Sequence, residues 1–324
     1  MDRKRQRGEK RHQNRIVLAY DLGGTKLHVA VVHSRGKILK EWKEKARFDL
    51  GKKAVLRQLI DFGKQALAEF PGIDSIGMAS AGPLDPGKGI LLDPTNFAGP
   101  EGRWGRVNIC RVLTRALGLP CTLENDAAAA ILAEHWLGKA KGIPDAMILT
   151  LGTGLGTGVI ANGSLIRAGG GLHTEAGHII LNENDPHALC GCGNRGCAEA
   201  YLSGNGFARW VHSKKWVKSK MNSKEIADLA RQGDPRAKKA FEEYANKMAT
   251  AIHNYVVIFA PQRIILTGSF AQSADLFLPT VKRKLKEILG PRRAPVDLLP
   301  EVVLSSLDNH AGVLGGAFIA LQSE

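Results

Sequence analysis

Two stretches of this chain can be laid over one another at a constant offset of 129 residues. The first runs from Ile16-Val-Leu-Ala-Tyr20 through the turn Asp21-Leu-Gly-Gly-Thr-Lys26 into Leu27–Val32. The second runs from Met147-Ile-Leu-Thr-Leu-Gly152 through Thr-Gly-Leu-Gly-Thr-Gly158 to Ile166. Leu22-Gly23 then meets Leu151-Gly152 and Val31 meets Ile160, while Ser34-Arg-Gly36 falls near Asn162-Gly163, a preferred hairpin dipeptide. Each copy reads as strand, glycine turn, strand, tight turn, strand. A duplication at domain length predicts two similar α/β lobes rather than one core, which also suits 324 residues. Glycine turns with free backbone N–H groups, one from each lobe, suggest an inter-lobe cleft that takes a polyphosphate.

The rest of the chain fits that plan. A third strand is expected at Lys37–Glu41, a helix over Val55–Phe70, and a buried strand at Ser75–Ser80 ending at Ala81-Gly82-Pro83. An amphipathic stretch follows at Val107–Leu117, then a strand at Cys121–Leu123 and an alanine-rich helix to Leu137. The C-terminal half is helical at Ser223–Arg231, Pro235–Phe259 and Leu276–Leu289, with a buried strand from Arg263 to Gly268. A last helix, Ala311–Leu321, offers Gly312, Gly315 and Gly316 to a close neighbour. The expected division is a basic tail over 1–14, a small lobe from 15–120 plus 305–324, and a larger lobe from 121–304.

Between the halves lies His178, followed by Cys190-Gly-Cys192-Gly-Asn-Arg-Gly-Cys197-Ala-Glu199. Three thiolates and an imidazole complete a tetrahedral structural zinc shell. A disulfide fits poorly, because a Cys-X-Cys pair is too close for its geometry and one thiol is left over. Three buried cysteines are the plainer alternative. Glu175 and Glu199 are carboxylates that zinc does not need, so the zinc-stabilised loop presents acceptors to something else, and a polyhydroxyl substrate takes such acceptors.

The Asp21-to-Lys26 turn places a carboxylate at a strand end with a hydroxyl and an ammonium beyond it. Backbone at Gly23 and Gly24 can approach phosphate oxygens, Thr25 and Lys26 can donate to them, and Asp21 can orient hydrated Mg²⁺. A tight hairpin wants the same glycines; the repeat at Gly152, Thr153 and Gly154 favours phosphate. Asn125-Asp126 before a run of alanines reads either as a helix cap or, at Asp126, as a general base. Spacing does not choose between them.

The charge is +14 at pH 7. Residues 1–15 carry seven Lys/Arg against two acids, and further basic clusters lie at Lys214–Lys224 and Lys282–Arg293. Few aromatics interleave them, so a stacking platform for single strands is not supported and a solvated tail is favoured over nucleic-acid contact. No apolar run reaches the ~20 residues that span a bilayer, and the basic N-terminus has no signal core. Cys110 and Cys121 have no disulfide framework around them. A reducing cytoplasm is therefore expected.

Together these motifs resemble the ROK family (repressors, open reading frames, kinases) of actin-like, ribonuclease H-like sugar kinases, over roughly residues 15–324. DLGGTK at 21–26, ENDA at 124–127, LGTGLGTG at 151–158, ExGH at 175–178 and CGCGNRGCAE at 190–199 carry the resemblance. It implies a duplicated two-lobe ATPase fold, with phosphate turns at Gly23–Lys26 and Gly152–Gly154. It implies a catalytic base at Asp126 and zinc at His178, Cys190, Cys192 and Cys197. The implied pyranose is held by Asn96, Asn125, Asp126, Glu175, His178 and Glu199, with Ala81-Gly82 lining the pocket. The implied adenosine-side turn is Gly268-Ser269-Phe270, where the family usually has Gly-Gly, so Phe270 is expected to stack on or crowd the base. The implied activity is ATP- and Mg²⁺-dependent phosphorylation of a hexose 6-hydroxyl, glucose first, in a homodimer. An N-acetylglucosamine or N-acetylmannosamine kinase is the near alternative, since Tyr201-Leu-Ser-Gly-Asn-Gly-Phe207 is similar to a stretch of N-acetylglucosamine kinases. A sugar-responsive repressor is the alternative of another class. Twenty residues precede Asp21, too few for the helix-turn-helix domain that such a regulator carries.

Overall fold

The computed structural model describes residues 14–94, 96–167, 169, 172–218, 220–292 and 297–323. The basic tail expected over 1–14 lies, but for Asn14, outside the described residues. The chain divides into two compact units, residues 1–141 with 167–173 and 309–324, and residues 142–166 with 174–308.

In the first unit, strands β1 (Ile16–Leu22), β2 (Lys26–His33), β3 (Ile38–Lys45), β4 (Ile73–Ser80) and β5 (Cys121–Asn125) form one sheet in the order β5-β4-β1-β2-β3. The first three are an antiparallel meander, whereas β4 and β5 run parallel to β1. Parallel strands need a crossover, which helix α1 (Lys52–Glu69) provides between β3 and β4 and α2 (Ile109–Leu117) before β5. β1 is central, and its run Val17-Leu-Ala-Tyr20 is buried on both faces, as a continuous apolar strand requires. Tyr20 donates to Leu59 O at 3.0 Å, which satisfies a buried hydroxyl against α1.

Helix α3 (Asp126–Leu137) buries Ala127, Ala128, Ala129 and Ala130. These small side chains admit the C-terminal helix, Ala311–Gln322, so closely that a Cβ on Gly315 would lie 2.1 Å from Ala129 O. On the sheet a Cβ on Gly77 would lie 1.9 Å from Gly316 O, so only glycine fits where β4 passes under that helix.

The second unit repeats the plan. Strands β6 (Ala146–Leu151), β7 (Leu155–Ala161), β8 (Ser164–Leu165), β9 (Arg263–Thr267) and β10 (Glu301–Leu304) form a sheet in the order β8-β7-β6-β9-β10. Again the first three alternate antiparallel and the last two run parallel to the first. The sheet is joined by α4 (Ala198–Leu202), α5 (Gly204–Ser213), α6 (Ser223–Arg231), α7 (Pro235–Phe259) and α8 (Leu278–Leu289). An aromatic core of Phe207, Phe241, Tyr244, Phe270 and Phe277 binds these helices together.

Three expectations shift. The third strand runs to Lys45 rather than Glu41, because Lys26 on β2 still finds a partner there. Its counterpart β8 has only two residues, so the duplication is weakest at that edge. The boundary placed at 120 moves to 141, since Cys121–Asn125 pairs with β4 and carries α3 into the first unit. Among the described residues no helix is long and apolar enough to cross a membrane.

Candidate active site

In the first unit the glycine turn leaves β1 at Leu22 and is closed by Gly23 N–H donating to Lys26 O at 3.0 Å. Thr25 and Lys26 are exposed, and Asp21 at the strand end is half-buried. Asn96 comes against this turn: a Cβ on Gly24 would lie 3.1 Å from Asn96 Cβ. Burial, and then the charge of Asp126, push the Asp21 carboxyl up to about 7. Two carboxylates that raise one another's cost of ionisation suit a place where a cation or a proton will sit.

The ENDA segment ends β5 and starts α3. Asn125 is the cap: its Oδ1 accepts from Ala127 N at 2.9 Å and Ala128 N at 3.2 Å. Asp126 is therefore not the cap residue, although its Oδ1 also accepts from Ala127 N at 2.8 Å. Glu124 is buried, accepts from Asn125 N at 2.9 Å through Oε1, and is paired through Oε2 with Arg167. Asn125 is thus gripped from both sides. A Cβ on Gly82 would lie 3.3 Å from His173 Cε1 and 3.8 Å from Asn125 Nδ2, so Gly82, Asn125 and His173 line one place.

In the second unit the corresponding turn is held by Gly152 N–H to Gly154 O at 3.1 Å. Gly204 N–H donates to Gly152 O at 2.8 Å, and a Cβ on Gly268 would lie 2.6 Å from Leu151 O. Turns from three parts of the sequence thereby meet at the end of β6. Ser269 follows Gly268 there, but Phe270 does not face outward. It is 3 % exposed and packs on Phe207, with ring centroids 5.2 Å apart, and on Tyr244 at 5.3 Å. The expectation that Phe270 stacks on a base is corrected: the aromatic core holds the ring.

Glu199 links this turn to the cysteine loop. Its Oε2 accepts from Leu155 N at 3.0 Å, and its Oε1 lies 3.3 Å from Cys190 Sγ. His178 points Nδ1 at Cys190 Sγ, 3.6 Å away, and Nε2 at the exposed Glu175, 3.8 Å away. Cys192 Sγ and Cys197 Sγ are 3.7 Å apart, and the four donor atoms all lie within 4.8 Å of one another. A tetrahedral zinc ion with ordinary bond lengths has S···S edges of about 3.8 Å and S···N edges of about 3.6 Å, so the donor set fits that ion. Burial pushes the Cys197 thiol up to about 11 and raises the Cys190 thiol as well.

The loop that carries these donors is built tightly. Gly196 has a φ of 72°, and a Cβ there would lie 1.9 Å from Asn182 O. Thr157 on β7 accepts from Ala176 N at 3.2 Å and donates to Thr174 O at 2.9 Å, and Tyr255 on α7 donates to Ala176 O at 2.9 Å. Asp185 is buried and receives the Trp210 indole at 3.0 Å and the Tyr201 hydroxyl at 3.2 Å, tying the loop to α4 and α5.

The structure thus groups Asp21, Gly23, Gly24, Thr25, Lys26, Gly82, Asn96, Asn125 and Asp126 in the first unit, and Gly152, Thr153, Gly154, Glu175, His178, Glu199, Gly268 and Ser269 in the second. Arg167, His173, Gly204 and Asp185 went unread as site residues. Arg167 and His173 are far along the chain from their partners, so no local pattern marks them; Gly204 lies inside the Tyr201–Phe207 stretch.

Comparison with known proteins identifies the family. The family model described as the ROK family matches residues 17–323. A glucokinase of Thermotoga maritima is 32 % identical over 94 % of this chain and 96 % of its own. An N-acetyl-D-glucosamine kinase of Citrobacter koseri is 28 % identical over 94 % of this chain and 99 % of its own. The solved ROK family glucokinase from Streptomyces griseus, in complex with glucose and AMPPNP, superposes with a TM-score of 0.77 at 28 % identity, covering 95 % of this chain and 100 % of that one.

Proposed function

The chain belongs to the ROK family and is an ATP-dependent sugar kinase, and from that premise we propose that it transfers the γ-phosphoryl group to the 6-hydroxyl of glucose. The observation that carries the residue assignment is the cap. Asn125 caps the first turn of α3, and Asp126, near enough to Asp21 for its charge to raise that carboxyl, serves as general base. Asp126 takes the proton from the sugar hydroxyl as that oxygen attacks phosphorus, and the bond to the leaving ADP oxygen breaks. Gly23, Gly24, Thr25 and Lys26, with Gly152, Thr153 and Gly154, donate to phosphate oxygens. Gly268 and Ser269 lie on the adenosine side. Asp21 would hold hydrated Mg²⁺, which would supply charge neutralisation at the phosphates. Asn96, Asn125, Glu175, His178 and Glu199 accept from and donate to sugar hydroxyls, with Gly82 against the ring.

His178, Cys190, Cys192 and Cys197 would hold zinc, His178 through Nδ1, which points at Cys190 Sγ, so that Nε2 on the Glu175 side would remain for a sugar hydroxyl. The role of zinc is to hold the loop rather than to react. An enzyme drawing on ATP with reduced cysteines belongs in the cytoplasm.

An ADP-release assay with ATP·Mg²⁺ against glucose, mannose, fructose, N-acetylglucosamine, N-acetylmannosamine and allose tests the substrate. Glucose is expected to lead; N-acetylglucosamine ahead by tenfold or more would replace it. That second reading has its own support in the Tyr201–Phe207 stretch and the Citrobacter koseri relative. Asp126→Asn is expected to lower kcat by at least ~100-fold with glucose affinity retained. A near-normal kcat would refute the assigned base.

A further inference from the structure

A second set of metal-ligating side chains lies away from the cysteine loop, on the first sheet. His28 on β2, Glu41 on β3 and His310 at the start of the C-terminal helix bring their donor atoms within 4.8 Å of one another. Both imidazoles reach the same oxygen: His28 Nε2 is 2.8 Å and His310 Nε2 is 3.1 Å from Glu41 Oε2. Three donors about 2.1 Å from one metal ion stand about 3.0 to 3.4 Å apart, so small side-chain movements would set all three around a cation. Two histidines and a carboxylate on one face of an ion are a ligand set for divalent zinc, cobalt, nickel or iron, with positions left for water.

The place is already used by a positive charge. Lys43 Nζ lies 3.1 Å from Glu41 Oε1 and 3.3 Å from His310 Nε2. Lys43 is exposed at nearly half of its side chain, so it can leave without opening the core. Strand register explains the cluster. Asp21 stands opposite His28 and His28 opposite Lys43, and directly opposed residues of antiparallel strands share a face; Glu41, two residues from Lys43, shares it too. On that face the C-terminal helix begins, and a Cβ on its Gly312 would lie 2.3 Å from Asp21 Oδ2.

We propose that His28, Glu41 and His310 form a binding site for a divalent transition-metal cation, in competition with Lys43. A bound ion would fasten β2 and β3 to the end of the helix that rests on Asp21. The site is independent of the sugar and of the cysteine loop.

The test uses the whole protein with its cysteine cluster filled by zinc, at pH 7.5 to 8, titrated calorimetrically with Co²⁺ alone. One further equivalent per chain is expected, without thiolate-to-cobalt absorption and with a rise in melting temperature. Glu41→Gln and His310→Ala are each expected to weaken it by about tenfold or more. Lys43→Met is expected to tighten it by a comparable factor, and this variant guards against a His310 substitution that merely frays the helix. Binding seen only in Lys43→Met and lost on adding Glu41→Gln also supports the ligand set, with Lys43 as its usual occupant. No further equivalent even in Lys43→Met, or one that survives both Glu41→Gln and His310→Ala, overturns the proposal and leaves a hydrogen-bonded ion-pair cluster only.

Discussion

Asp21 carries a measurable cost. Its carboxyl titrates near 7 in the folded protein and near 3.9 in an unfolded chain, so the fold favours the neutral form. Its contribution to stability is fully present below about pH 4 and is lost as pH rises towards 7. In protein without Mg²⁺ and ATP, Asp21→Asn is therefore expected to raise the melting temperature at pH 8 and leave it unchanged near pH 4. The same variant is expected to lose ATP·Mg²⁺-dependent turnover. Melting curves of the two proteins from pH 4 to 8 check this, and a constant difference across that range would disprove it. Residues differ in how much of this was readable. Adjacent Asn125 and Asp126 are chemically similar as caps, so the chain alone left two roles open, and coordinates of two backbone N–H groups assigned one of them. Phe270 misled because a ring beside a nucleotide turn and a ring in a core have the same local sequence. Arg167 was invisible, since its partner Glu124 is 43 residues away.

Elements were more legible than contacts. Helices α6 and α7 fall at the bounds expected from apolar spacing and α3 on its alanine run, and the structure adds the starts: Asn222 with Glu225 caps α6, and Asp234 before Pro235 caps α7. The short β10 was not legible, as so few residues show no period, whereas β8 was placed only by the repeat and the Asn162-Gly163 turn. The cysteine loop is the element whose spacing said most, and two predictions belong to it. Gly196→Ala drives a Cβ into Asn182 O at a positive φ, so a loss of more than about 2 kcal/mol is expected in urea unfolding. Removing zinc with a chelator is expected to lower the melting temperature and to weaken glucose binding, because ligand set and loop fold together. A metal-free sample, verified by elemental analysis, with unaltered melting and affinity would rule that out. At the other end of the first unit, Arg15 binds Asp74 through two nitrogens and donates to Leu321 O at 2.8 Å. Deleting residues 1–14 is expected to leave kcat and melting temperature unchanged, and deleting Arg15 as well to lower the melting temperature by several degrees.

For the molecule as a whole, the offset of 129 predicted the architecture: two sheets of the same strand order with the same pattern of parallel and antiparallel neighbours. Where the lobes begin and end was less legible, since strand pairing between distant segments decides it. The first unit is not continuous in sequence, and its C-terminal helix lies over β1 and β4 where Gly77 and Gly316 meet. On a ribosome this ordering sets a schedule. β1 and β4 emerge early and wait for residues 311–322 to leave the exit tunnel before one face of their sheet is covered. Residues 311–322 therefore act as the lock on strands made long before them, and a nascent chain stalled short of them should be cut by protease in the segment that carries β1 and β4.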